Sequence, residues 1–178
     1  TTATTYSRIW ADRSGKIYVT YADGTGSGAQ TNHYLAIKYY DPSSNSWIAM
    51  GSEAGSPRIG VRSVINPVSQ LVESRNHAMA FDRNNIPYIV YVEARGDNVP
   101  MVKRYVNGAW ELVGSGAAST SIASSVSIAF DSANVPYISY LGMTAWNSTT
   151  GTVAVRYFKD NAWQSLEVTN GGSARHPQ

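Results

Sequence analysis

The sequence predicts an all-β chain made of three copies of one four-stranded antiparallel unit, and three observations predict it. A twelve-residue phrase recurs. Residues 80–91 read Ala-Phe-Asp-Arg-Asn-Asn-Ile-Pro-Tyr-Ile-Val-Tyr, and residues 129–140 repeat it as Ala-Phe-Asp-Ser-Ala-Asn-Val-Pro-Tyr-Ile-Ser-Tyr. A weaker copy at 10–21 reads Trp-Ala-Asp-Arg-Ser-Gly-Lys-Ile-Tyr-Val-Thr-Tyr, and an internal repeat governs the whole fold. Large and small residues alternate in Val126-Ser127-Ile128-Ala129-Phe130, as a half-buried strand requires. No segment shows the apolar spacing of a helix over ten or more residues.

Each copy holds four strands, A to D. The phrase itself supplies strand A, a tight turn and strand B. In the first copy strand C is Tyr34 to Tyr40 and strand D is Trp47 to Gly51. In the second, Met101 to Val106 leads through Asn107-Gly108 to Trp110 to Gly114. In the third, Val153 to Phe158 leads through Lys159-Asp160-Asn161 to Trp163 to Leu166. Tyr, Val and Ile dominate strands B and C, the residues a pleated surface favours. Asn107-Gly108 is a hairpin signal, because a type I′ turn needs positive φ at both central positions. Pro87 and Pro136 each open strand B, where a missing N–H is tolerated. The units span approximately 7–52, 76–115 and 125–169, with an insertion at 53–75, in a single domain of residues 1–178.

Composition excludes several functions. A net charge of +2 with no Lys/Arg run argues against nucleic acid, and no apolar run reaches the length of a membrane span. The absence of cysteine removes disulfides and thiolate chemistry. Charged residues make up 15%, against 12 tyrosines and 15 glycines, a balance that leans towards a secreted or cell-surface protein. No signal peptide is visible at Thr1, so the chain reads as either cytosolic or already processed.

Antiparallel four-stranded repeats of roughly 40–50 residues resemble the blades of β-propellers. The resemblance runs from about Ser7 to about Val168. It is not to WD or kelch repeats, whose Gly-His…Trp-Asp and double-glycine signatures are missing. Asp41 to Trp47 echoes a sialidase Asp-box, with one residue too many and no internal glycine. Propellers close with about four to eight blades, so the resemblance implies a partner: a second copy giving a homo-oligomer, or further blades. It also sorts the loops. The A–B and C–D turns share one rim and are short, whereas the B–C loops (22–33, 93–100, 142–152) and D–A links (52–76, 115–124) share the other and vary. Variable loops on a rigid scaffold carry binding, so that rim is the expected binding face.

Residues that recur in every copy are read as scaffold. Asp12, Asp82 and Asp131 precede tight turns and are expected to accept hydrogen bonds from turn N–H groups rather than act as ligands or acids. Lys38-Tyr39, Arg104-Tyr105 and Arg156-Tyr157 are expected to form blade-to-blade ion pairs or cation–π contacts. Trp47, Trp110 and Trp163 are expected to wedge between blades. Non-repeated residues are the better ligand candidates. Trp146, with Asn147, Ser148 and Thr149 beside it, makes a sugar-stacking platform or a protein contact, and Asn147-Ser148-Thr149 also fits a glycosylation sequon. His33, His77, Arg58 and Arg62 lie on the same variable rim. His33, His77 and Glu73 form no known metal-ligand spacing, so neither a metal nor another cofactor is expected. The insertion, with its Arg58, Arg62 and Arg75 and its apolar residues, reads as an extra hairpin or arm covering a blade edge; a ligand loop or an arm exchanged between subunits is the other reading.

No nucleophile elbow, phosphate loop or close carboxylate pair appears. The sequence therefore favours a non-enzymatic binding module that recognises a glycan or a protein through the variable rim. A self-associating structural subunit of an extracellular assembly is the second reading. Part of a carbohydrate-active propeller enzyme is the third.

Overall fold

The structure, a computed structural model, describes residues 4–25, 32–51, 57–64, 77–93, 98–145, 148, 150–168 and 174–175. It is all-β, and its strands form three antiparallel sheets. The first runs β1 (Thr4–Ala11), β2 (Ile17–Thr25), β3 (Asn32–Asp41), β4 (Ser46–Ala49), with β5 (Arg58–Val64) added on β3. The second runs β6 (His77–Phe81), β7 (Pro87–Glu93), β8 (Val99–Val106), β9 (Ala109–Leu112). The third runs β10 (Ile122–Phe130), β11 (Pro136–Met143), β12 (Thr150–Lys159), β13 (Ala162–Leu166), with β14 (Ala174–Arg175) added on β12.

The turn between the first two strands of each sheet is built the same way three times. Asp12, Asp82 and Asp131 each accept two backbone N–H groups on one carboxylate oxygen, from Ser14 and Lys16, Asn84 and Ile86, and Ala133 and Val135, at 2.8–3.0 Å. The turn's fourth residue must take positive φ, and it is Gly15 (82°), Asn85 (59°) and Asn134 (66°). These are the residue types that tolerate the left-handed region. The aspartates thus hold turns, as their threefold recurrence implies. Asn107 (52°) and Gly108 (81°) supply the paired positive φ of a type I′ hairpin, and Asp160 and Asn161 do the same at β12–β13.

The short fourth strand leaves part of its neighbour's edge open, and the chain beyond it covers that edge. β4 pairs Lys38 to Asp41 of β3, while β5 pairs Asn32 to Tyr34 and Ala36. The second sheet does this without a strand: Val113 N donates to Val102 O at 2.9 Å and Ala118 N to Pro100 O at 2.8 Å. In the third sheet β14 pairs Thr150 and Gly151. The described part of the insertion is therefore an edge-covering strand, in line with the first of its two sequence readings. Satisfying these groups removes an unpaired edge that would template aggregation.

Ile37, Ile89, Val90, Val102 and Ile138 are among the fully buried side chains, and all lie on second or third strands. In β10, Val126 and Ile128 are buried while Ser127 and Ala129 are exposed. A bulge at Ser124–Ser127, with Ser125 at φ 52°, sets that phase. The chain divides into two compact units, Thr1–Arg75 with Tyr105–Glu111, and Asn76–Arg104 with Leu112–Gln178.

Candidate functional site

The second unit contains a cleft of about 280 Å³, walled on one side by residues 114–120 and on the other by the β12–β13 hairpin. Strand alternation places Arg156 and Phe158 on one face of β12. Trp163 is the cross-strand partner of Phe158, with ring centroids 5.2 Å apart. The opposing segment is Gly-Ser-Gly-Ala-Ala-Ser-Thr, and its small side chains leave the space open. Gly114 sits at φ +91°, and a Cβ there would lie 3.1 Å from the Phe158 ring and 3.3 Å from Trp163 Nε1. Only glycine lets the backbone approach this closely. The segment is anchored by the Ala118–Pro100 hydrogen bond and by Ser119 Oγ, which accepts the Ser121 N–H at 3.1 Å.

The chemistry of the cleft follows from its lining. Trp163 Nε1 donates to the Val113 carbonyl at 2.9 Å, which fixes the indole and uses up its donor. Arg156 lines the cleft, its guanidinium makes no hydrogen bond or ion pair with a described residue, and it brings a planar set of donors to the recess. Ser115, Ser119, Thr120 and Asn161 add polar groups. No Asp, Glu or His is among the lining residues, so the cleft offers binding groups rather than an acid/base pair. A few polar groups beside an aromatic wall is the usual make-up of a small-ligand site.

Strand register corrects one expectation. Tyr18, Tyr88 and Tyr137 pair with Tyr39, Arg104 and Tyr157. Arg104 therefore occupies a tyrosine position, and the shared cation position is Lys38, Lys103 and Arg156. The similarity of Arg-Tyr dipeptides had shifted the second copy by one residue. Lys103 is half-buried, and burial pushes its amine below the usual lysine range against the pull of the Glu93 carboxylate.

None of the residues proposed from sequence is among the described residues that line this cleft. Trp146, Asn147 and Thr149 lie outside the described residues. His33, Arg58 and Arg62 come together on the β3–β5 ladder, where Arg62 is opposite Tyr34 and Arg58 opposite Ala36. The Arg58 guanidinium is engaged: its Nε donates to Asp23 Oδ2 at 2.7 Å, and its plane lies 4.6 Å over the Tyr34 ring. His77, in β6 opposite Tyr91, is buried. Sequence reasoning assigned Arg156 and Trp163 to the scaffold because they recur. The run of small residues at 114–120 was the signal that something packs or binds there.

The fold and cleft define an all-β repeat protein of three antiparallel sheets, each built on a four-stranded path, with an aromatic-and-arginine-lined recess in its second unit. No protein-family model and no curated protein matches the sequence. Among solved structures, the chain is similar to a fucose lectin from Kordia zhangzhouensis, determined in complex with methyl-fucoside. The TM-score is 0.51 at 13% identity, over 93% of this chain and 100% of that one. At that identity the likeness speaks for the fold.

Proposed function

We propose that this protein is a non-enzymatic glycan-binding module, secreted or displayed at the cell surface, whose sheets are propeller-type blades. The observation that carries this reading is Arg156, which has no hydrogen-bond or ion-pair partner among the described residues, beside the Phe158–Trp163 pair in the cleft. A pyranose offers an apolar C–H face for an aromatic ring and hydroxyl oxygens for a guanidinium fork. The fucose lectin of similar fold supports the choice of a sugar over a protein ligand and makes a fucoside the first probe.

Calorimetric titration with methyl-fucoside, alongside a panel of other methyl glycosides, tests it. One or more sugars are expected to bind, and Arg156→Ala is expected to weaken binding at least tenfold with the fold intact by circular dichroism. Trp146→Ala is the control for the variable-rim platform. Loss of binding in that variant with Arg156→Ala unaffected would move the site to the loop before β12. No binding to any glycan on an array, by folded protein, would remove the lectin reading.

A further inference from the structure

The joint between successive repeats is formed twice by the same atoms. In the first unit Trp110 Nε1 donates to the carbonyl of Met50, the residue after β4. In the second unit Trp163 Nε1 donates to the carbonyl of Val113, the residue after β9. Each tryptophan is steadied by the aromatic residue opposite it, Tyr105 or Phe158, at ring distances of 5.2 Å. The rule is that the tryptophan of one repeat caps the carbonyl that ends the preceding repeat's fourth strand.

The two ends of the chain carry the unmatched halves of this joint. Trp47 is the first repeat's member of the series, paired with Tyr40 at 5.6 Å, yet it is 46% exposed where Trp110 is 8%. Its indole N–H has no acceptor among the described residues. Ile9 is 73% exposed, whereas Met79 and Ile128 at the same place in the other repeats are buried, Ile128 on a strand packed against β6 and β7. The third repeat shows the reverse. Leu166 stands where Met50 and Val113 stand and is 49% exposed against their 4% and 5%. Val153 stands where Leu35 and Pro100 are buried, and it too is exposed. Each position is thus exposed in the first or the last of the three repeats and buried or half-buried at its counterparts in the others.

The geometry points to a head-to-tail self-association surface: Trp47 and Ile9 of one chain dock on the Val153–Leu166 face of a second copy, with the Trp47 indole donating to the Leu166 carbonyl. The occupant is a second copy because the surface it must match is already present on this chain and already joined within it. One substitution marks this joint as looser than the internal ones: Glu167 stands where the other repeats have Gly51 and Gly114, and at Gly114 the aromatic pair comes within 3.1 Å of where a Cβ would lie. A joint between unlike surfaces closes into a ring when its rotation permits. The inference does not depend on the glycan reading.

Light scattering and sedimentation of the 178-residue chain test it. A mass at a multiple of 19.3 kDa is expected at tens of micromolar. Trp47→Glu and Leu166→Glu, both at exposed positions, are each expected to weaken association at least tenfold without lowering the melting temperature. Mixing the two variants restores one intact joint per pair, so a heterodimer is expected from two non-associating chains. A monomeric wild type at 100 µM, or variants that associate normally, would overturn the proposal. Failure of the mixture to pair would also overturn it, since it points to like surfaces meeting face to face.

Discussion

The indole of Trp163 donates its N–H to the carbonyl of Val113, fifty residues earlier in the chain, at 2.9 Å. The Val113 side chain is buried and Trp163 is half-buried, so this hydrogen bond ties the β12–β13 hairpin to the end of β9 where water competes weakly for its acceptor. Phenylalanine at 163 keeps most of the packing and orphans that carbonyl. Trp163→Phe is expected to destabilise by ~1–2 kcal/mol in urea denaturation.

Gly114→Ala attacks the same place from the other side. Its φ of +91° and the 3.1 Å approach to Phe158 leave no relaxed position for a methyl group. The variant is expected to lose more than ~1 kcal/mol of stability. It should also weaken glycan binding, because Phe158 and Trp163 must shift. Unchanged stability would mean that the Phe158 ring yields to a methyl group at no cost.

Asp82 and Asp131 hold identical turns but differ in surroundings. Asp82 is 3% exposed and also accepts the side-chain amide of Asn134 at 3.3 Å, whereas Asp131 is exposed. Asp82→Ala strands three donors and is expected to cost ~2–3 kcal/mol, against ~1 kcal/mol for Asp131→Ala. Equal losses in thermal or urea unfolding would mean that the turn bonds alone matter.

Acid should act through the aspartate turns. At Asp12 burial raises the carboxyl pKa, but hydrogen bonds from the Ser14 hydroxyl, the Lys16 and Ser14 N–H groups and the Tyr18 hydroxyl outweigh it and hold it below the ordinary value. Ser43 and Ser44 depress Asp41 in the same way. Groups depressed on folding stabilise the native state above the unfolded pKa of about 3.9, and the contribution fades as pH falls through the folded pKa. Melting temperature is therefore expected to be flat in the turn contribution from neutrality to mildly acidic pH and to fall below that. Asp12→Asn should blunt the fall; an undiminished slope would assign it to other carboxylates.

Glu167 gives a gain-of-association test. Glu167→Gly restores the residue used at the internal joints and is expected to tighten self-association several-fold by sedimentation. Unaltered affinity would place the contact away from the Leu166 strand end.

Much of the fold was legible because its constraints are local. An aspartate, then three residues on a glycine or asparagine, specifies the first turn of each repeat wherever it falls, and Asn107-Gly108 specifies a hairpin on its own. The cleft was not legible for the opposite reason. It arises where residues 114–120 approach a hairpin some forty residues later, and its key residues, Arg156 and Trp163, recur in the repeats. Recurrence implies scaffold, yet Trp163 packs and lines a recess at once. The one-residue shift at Arg104 has a simple origin too: two basic residues, Lys103 and Arg104, stand side by side, and only the pairing with Tyr88 decides between them.

The position of Gly114 under the Trp163 ring has a consequence for valency. A recess built from the trailing segment of one repeat and the hairpin of the next belongs to a junction, not to a repeat. An open row has one junction fewer than repeats, whereas a closed ring has as many of one as of the other. Where other junctions form the same recess, closing a ring adds binding places faster than it adds chains. A surface dense in sugar would then be held with an avidity that can exceed single-site affinity by roughly 10²–10⁴, without any change in the recess itself.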